Sequence, residues 1–280
     1  MQLEVEKEKN SANQFAKLVG RKTVDRISSL HIDAGGLIRL GDSAPHCLAE
    51  FKRIILAIER FGGRLMIPTF SYSYTDNGIF NWLSTPSKVG IVTDYLRSQN
   101  PRRRTVDGMF SYLVYGLEST DEVFSFGSGV YDSFGNESLI ARVYAEDGYI
   151  CCVGDVFHNT PTEVHFLERL LKVNYRLNKT FSGQFIGEGF SGIQKIVFFC
   201  RDLNLNLVSD MTRLERRLRE ENILEIWQVN DLDFYFEAVK IRDVYQLLLQ
   251  ELAKDPLFLC STPEQREINW QARSKEFRRM

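Results

Sequence analysis

The stretch YICCVGDVFHNTPTEVHFLERLL, residues 149–171, decides how this chain is read. Tyr149 to Val153 form an uninterrupted apolar run of strand length. A short turn from Gly154 to Asn159 follows. Thr160, Pro161 and Glu163 then mark a helix start: a capping hydroxyl, a proline suited to the first position, and an acid that completes a capping box. Val164, Leu167 and Leu171 give that helix, expected over about residues 161–172, an apolar stripe. Strand, turn and capped helix in this order form the unit of an α/β sheet. Thr162, His165 and Glu168 are spaced three apart and share a face. A carboxylate one turn from an imidazole can fix its tautomer and stabilise its protonated form, as a general base requires. The same pattern also suits an amphipathic helix carrying a surface ion pair. Placement favours chemistry, because ligands of open α/β sheets sit beyond the carboxyl ends of strands, where this helix begins. A helix N-terminus also disfavours imidazolium, so His165 is expected to be neutral and basic.

The alternation continues to either side. A first helix is expected over residues 12–28, weakened by Gly20, and a strand from Ile27 to Ile32. Asp33 to Gly41 is a glycine-bearing turn before a helix from Pro45 to Phe61, where Ile54, Ile55 and Ile58 keep helical spacing and Gly62-Gly63 stops it. Arg64 to Ile67 is a strand ended by Pro68. An aromatic loop, Phe70 to Tyr74, precedes a helix from Lys88 to Ser98. Further helices are expected at 138–145, 210–221 and 240–252, and strands at 195–200 and 223–229. The pattern predicts a single α/β domain over residues 1–280, with a mixed, mostly parallel central sheet flanked by helices. Residues 1–10 and 262–280 are highly charged and are expected to be frayed or peripheral.

Composition narrows the function. Hydrophobic residues make up 44% of the 280, enough for a substantial core. The net charge of −2 gives no global field for nucleic acid. Five cysteines, at 47, 151, 152, 200 and 260, show neither metal-knuckle spacing nor a disulfide framework, which fits a reducing compartment. No apolar run is long enough to cross a bilayer, and MQLEVEKEKN is not read as a secretory signal. A cytoplasmic protein without a membrane or nucleic-acid partner is expected, and a homodimer is compatible. Cys151 and Cys152 lie in an apolar strand, where thiols usually pack rather than react. No metal is expected, since the pair of histidines four apart is missing around His158 and His165.

Five segments in order resemble the aminoglycoside 3-N-acetyltransferase family. Leu30 to Gly41 resembles its first strand and small-residue turn. Gly63 to Ser71 resembles its "G-x-L-x-x-P-T-F-S" strand, and Pro86 to Gly90 with Arg97 its "P-S-x-x-G…R" helix. Phe134 to Ser138 resembles its "F-G-x-x-S" turn, and Thr162 to Glu168 its "T-x-x-H-x-x-E" segment, with Tyr175, Arg176 and Lys179 following. The likeness covers about residues 15–260. The chain departs where "R-S/T-x-H-P-x-x-S" reads Arg104 to Ser111, with Asp107-Gly108 in place of His-Pro, and where the proline after "F-G-x-x-S" is Leu139.

The resemblance implies an α/β fold, acetyl- or another acyl-coenzyme A as cosubstrate, and a primary amine on a sugar as acceptor. It implies His165 as base and Glu168 as its partner, with Thr162 the candidate donor to the tetrahedral oxyanion. The coenzyme is expected on His31, Asp33, Ala34, Gly35, Gly36 and Leu37, where a glycine turn and a nearby helix start suit phosphate, and on Arg104 and Ser111. Arg102 and Arg103 are expected to be a solvated charge run. Acceptor contacts are expected from Phe70, Ser71, Tyr72 and Tyr74, with Phe80 and Trp82 as further rings, and from Asp107, Asp155 and His158. Aminoglycosides are polycations and call for an acidic pocket, of which the sequence shows no sign. The rings offer stacking surfaces for a base or sugar, and the resemblance extends to relatives that acylate amino sugars carried on nucleotides for surface polysaccharide, so such an acceptor is the main expectation. The alternatives are aminoglycoside N-acetylation, a non-catalytic binder of coenzyme A or sugar, and a thioester hydrolase.

Overall fold

Strands β1 (Ser28–Ile32) and β6 (Tyr149–Val153) are buried almost throughout. A strand buried on both faces is covered on both faces, and so belongs at the middle of a sheet. In the computed structural model, which describes residues 2–117, 130–154, 156–159, 161–229 and 234–277, these two strands are the central pair of six. The order is β10 (Glu225–Val229), β11 (Phe234–Lys240), β6, β1, β2 (Leu65–Pro68), β4 (Tyr112–Tyr115). β1 runs parallel to β2 and β6, while β4, β11 and β10 add antiparallel edges. The sheet is mixed and flanked by helices, as expected, but not mostly parallel: only the two central pairings are parallel, and the three outer ones are antiparallel.

Alternation along the strands divides the apolar core in two. Cys151 and Val153 face one side with Phe15, Val19, Phe51, Ile54, Ile55 and Ile58. These come from α1 (Gln2–Thr23) and α2 (Ala44–Arg60). Ile150 and Cys152 face the other side, with Ile140, Val143, Val164, Leu167, Val244 and Leu248. These come from α5 (Leu139–Ala145), α6 (Glu163–Leu170) and α8 (Ile241–Lys254). Gly20 does not break α1. A Cβ there would lie 2.7 Å from that of Phe61, so the missing side chain lets two chain segments pack closely.

A second sheet is built on a hairpin of two twelve-residue strands, β7 (Arg176–Gly187) and β8 (Phe190–Arg201). Short parallel strands β3 (Ile79–Asn81) and β5 (Val130–Asp132) flank it. Only residues 195–200 of this hairpin were legible as strand. Residues 177–180 of β7 are exposed and, apart from Leu177, polar, so they carry little apolar alternation to read. The carboxyl-terminal segment, expected to fray, is helical over Pro263–Phe277 (α9). Arg273 holds it by donating Nε and Nη2 to buried Glu215 of α7 (Thr212–Glu220), whose Arg219 bridges on to Glu237 of β11.

Candidate active site

β6 ends at Gly154, whose φ of 86° is unfavourable for other residues. A Cβ there would stand 2.7 Å from Cβ of Asp33, so the ends of β1 and β6 meet closely. From that edge β1 presents His31, and the chain leaving β6 presents α6. Of the capping box expected at α6, only Glu163 lies within the described residues, and Thr160 lies outside them. The Glu163 carboxylate turns inward to His31, with Oε2 2.8 Å from Nε2 and both side chains buried. A buried acid gains more from a charge-assisted contact to an imidazole than from a backbone amide that water can serve.

His165 and Glu168 meet as their spacing requires, with Nδ1 2.6 Å from Oε2. Tyr175 donates its hydroxyl to Glu168 Oε1 at 2.8 Å, and Arg176 at the start of β7 places Nε 2.7 Å from Oε2. Arg176 Nη2 also lies 3.1 Å from His165 Nε2 and donates to Ser209 Oγ at 2.9 Å. Phe134, from the Phe-Gly-x-x-Ser turn, stands edge-on to the His165 ring at 6.5 Å between centroids. Burial, and then the Arg176 cation, hold the His165 pKa below its ordinary value against the pull of Glu168. Burial pushes the Glu168 carboxyl upward, but His165, Arg176 and Tyr175 outweigh it and hold that pKa below the usual carboxylate range.

His31, Phe70, Tyr72, Thr162 and His165 together line a cavity of about 260 Å³, with Met211 and Ser209 closing it. Tyr72 sits there with a left-handed φ of 50°, an uncommon conformation for a bulky residue, and its ring meets Phe70 and Phe110 edge-on. Burial pushes its hydroxyl pKa up to about 12. A second cavity of about 310 Å³ opens beside the start of α2 and is lined by Ala34, Leu37, Gly41 and Ser43 among others. Asp33 folds back on this turn, accepting from the Gly35 amide at 3.0 Å, and Gly35 and Gly36 begin a 3-10 helix.

Other expected ligands lie in the core. Arg104 is fully buried and donates to the carbonyls of Thr69 and Thr85 and to Ser111 Oγ, so neither it nor Ser111 is placed to meet phosphate. Its guanidinium lies 4.7 Å from the centroid of the Phe80 ring, and burial depresses its pKa to about 9. Trp82 donates its indole N–H to the Arg104 carbonyl at 2.6 Å. Asp107 is buried too, accepting from the Met109 and Phe110 amides and the Ser133 hydroxyl; it builds the loop rather than the acceptor pocket. Tyr74 donates to Gln194 and Ser71 to the Gly108 carbonyl, both away from the cavity. His158 packs edge-on against Trp270 of α9. Asp155 lies outside the described residues. Arg102 and Arg103 pair with Glu188 and Glu59. Burial raises the thiol pKa of both Cys151 and Cys152, which leaves them unreactive packing groups. Among the described residues no group of three His, Cys, Asp or Glu is arranged to hold a metal, and no helix is long and apolar enough to cross a membrane.

Sequence reasoning assigned no role to Arg176 or Tyr175, and missed the His31–Glu163 pair and Ser209. The only available signal was the Tyr-Arg pair after the helix; the other contacts join residues far apart in the chain.

Solved structures share this fold. The apoenzyme of aminoglycoside acetyltransferase AAC(3)-IVa matches with a TM-score of 0.64 and 20% identity, over 92% of each chain. AAC-IIIb, solved as a binary complex with coenzyme A, matches with a TM-score of 0.64 and 16% identity, over 88% of this chain and 96% of that one. A variant of AAC(3)-IVa solved in complex with apramycin matches with a TM-score of 0.59 and 17% identity, over 84% and 88%. No curated protein matches the chain. The family model for aminoglycoside 3-N-acetyltransferase matches residues 55–251, more than half of the sequence, and the chain therefore belongs to the aminoglycoside 3-N-acetyltransferase family.

Proposed function

We propose that this chain is a single-domain N-acyltransferase that moves an acyl group from acyl-coenzyme A directly to an amine of an aminoglycoside, with His165 as general base. The observation that carries this is the His165–Glu168 pair, 2.6 Å apart, on the wall of a cavity at the carboxyl edge of the parallel strands. The family match and the coenzyme A and apramycin complexes of structural neighbours support the donor and the acceptor class. They move the preference away from the nucleotide-linked amino sugar that is the main expectation from the sequence.

An acceptor amine in its unprotonated form attacks the thioester carbonyl. As the N–C bond forms, His165 takes the proton from nitrogen, a step that typically contributes about 10²–10⁴-fold. Glu168 stabilises the resulting imidazolium. Thr162, one turn earlier on the cavity wall, is the proposed donor to the tetrahedral oxyanion. Collapse breaks the C–S bond, and the departing thiolate recovers the proton from His165. The donor's pantetheine arm is assigned to the cavity, and its phosphates to the Ala34–Leu37 turn beside the second cavity.

One observation favours a second acceptor class. Among the described residues, those lining the main cavity include no carboxylate, although polycations are best held by acidic walls. A less cationic amino sugar, including one carried on a nucleotide, suits such a lining. Thiol release from acetyl-coenzyme A, measured with apramycin and with a dTDP- or UDP-amino sugar, separates the two. Faster turnover of apramycin is expected. Turnover of the nucleotide sugar alone would replace the acceptor assignment, and thiol release without any amine would replace transfer by hydrolysis.

A further inference from the structure

We infer that Arg176 is a positioning residue for His165: it holds the ring in the neutral tautomer protonated on Nδ1 and occupies the proton-accepting Nε2 until the amine displaces it. This rests on the proposed role of His165 as base.

The chemistry of the partners assigns both ring nitrogens. A guanidinium has only N–H donors and keeps its proton in proteins. Its Nη2, 3.1 Å from Nε2, can bond that nitrogen only if Nε2 carries a lone pair. The Glu168 carboxylate accepts and does not donate, so Nδ1, 2.6 Å from Oε2, must carry the hydrogen. Arg176 is itself held firmly. Its side chain is 5% exposed, Nη1 donates to the Phe199 carbonyl at 3.2 Å, and Nη2 donates to Ser209 Oγ at 2.9 Å.

A salt bridge to Glu168 needs only Nε, which already lies 2.7 Å from Oε2. The second contact, from Nη2 to Nε2, adds nothing to that pair and sets the state of the ring. Protonating Nε2 would turn two donors toward each other and place two cations in contact. The charged and aromatic groups acting on His165 are Glu168 on its own helix, Arg176 from β7, Glu163 two residues earlier and the Phe134 ring edge. Glu168 and Glu163 favour the charged ring, whereas Arg176 opposes it; burial acts in the same direction as Arg176. During reaction the amine must take the place of Nη2, whose remaining partner is then Ser209.

The test is a nitrogen-15 NMR titration of the His165 ring in the full chain without substrates, compared with the pH profile of kcat/KM. Wild type should show Nε2 as the unprotonated nitrogen. In Arg176→Gln, which keeps a donor but removes the charge, the ring pKa and the acidic limb should both move upward by about 1 pH unit or more. Arg176→Lys, which keeps the charge, should lie closer to wild type. A wild-type ring protonated on Nε2, or an Arg176→Gln ring that titrates as wild type does, overturns the proposal. If Arg176→Gln fails to fold, the wild-type tautomer still decides. Loss of turnover in His165→Ala tests the base assignment separately, because the titration reads the ring whether or not it is catalytic.

Discussion

Glu168→Gln is the most searching substitution in this site. Glu168 is fully buried and accepts from His165 Nδ1 and the Tyr175 hydroxyl, with Arg176 Nε 2.7 Å away. A glutamine has the same shape. Its carbonyl can accept from His165 and its NH2 can donate to the Tyr175 oxygen, so both hydrogen bonds can re-form and what is lost is the charge facing Arg176. Two consequences follow. The ground state keeps a buried Arg176 without its counter-ion, which costs about 3–5 kcal/mol of stability at most. The imidazolium formed during transfer also loses its neighbour. Two unit charges about 4 Å apart at an effective dielectric of about 20 attract by about 4 kcal/mol, an upper bound here because Arg176 already offsets part of the carboxylate. Taking about 2–4 kcal/mol, kcat should fall about 30- to 1000-fold. Thiol release under saturating acetyl-coenzyme A and acceptor measures the rate, and urea unfolding measures the fold. A well-folded Glu168→Gln variant with kcat within threefold of wild type would refute the role given to this carboxylate.

His165→Ala should abolish transfer while leaving acyl-coenzyme A affinity little changed, as read by calorimetry. Arg104→Met should be a folding defect rather than a coenzyme-binding defect. It strands the Thr85 carbonyl, leaves the Thr69 carbonyl with Ser111 Oγ as its donor, and should cost about 3 kcal/mol, with the KM for acyl-coenzyme A unchanged in the folded fraction. Stability should also depend on pH through His165. Its folded pKa lies below the ordinary 6.5, so the unfolded chain binds the proton first; the contribution is complete above about pH 6.5 and is lost as pH falls toward the folded value. Urea unfolding of wild type and His165→Gln between pH 7 and 5 should show a shallower decline in the variant.

The legible parts of this protein are those whose cause is local. β6 runs over the residues its apolar run predicts, and α2 starts and stops within one residue of expectation. The His165–Glu168 pair was legible because a helix sets the three-residue spacing by itself. Glu163 was read as a capping residue because its near neighbours suggested it, yet its partner is 132 residues away. Arg104 and Asp107 were read as ligand groups because charge usually faces solvent or substrate. Folding instead supplied each with enough hydrogen-bond partners to be buried. The α/β class and the His165–Glu168 pairing were thus written in short-range periodicity and spacing, which act before the chain is compact. The surroundings of His165 were decided only by tertiary structure, because they depend on Tyr175 from the turn after α6, Arg176 from β7, Ser209 from beyond the hairpin, and the loss of water around them. Electrostatic effects of that kind follow distance in space and desolvation, and neither is a property of order along the chain.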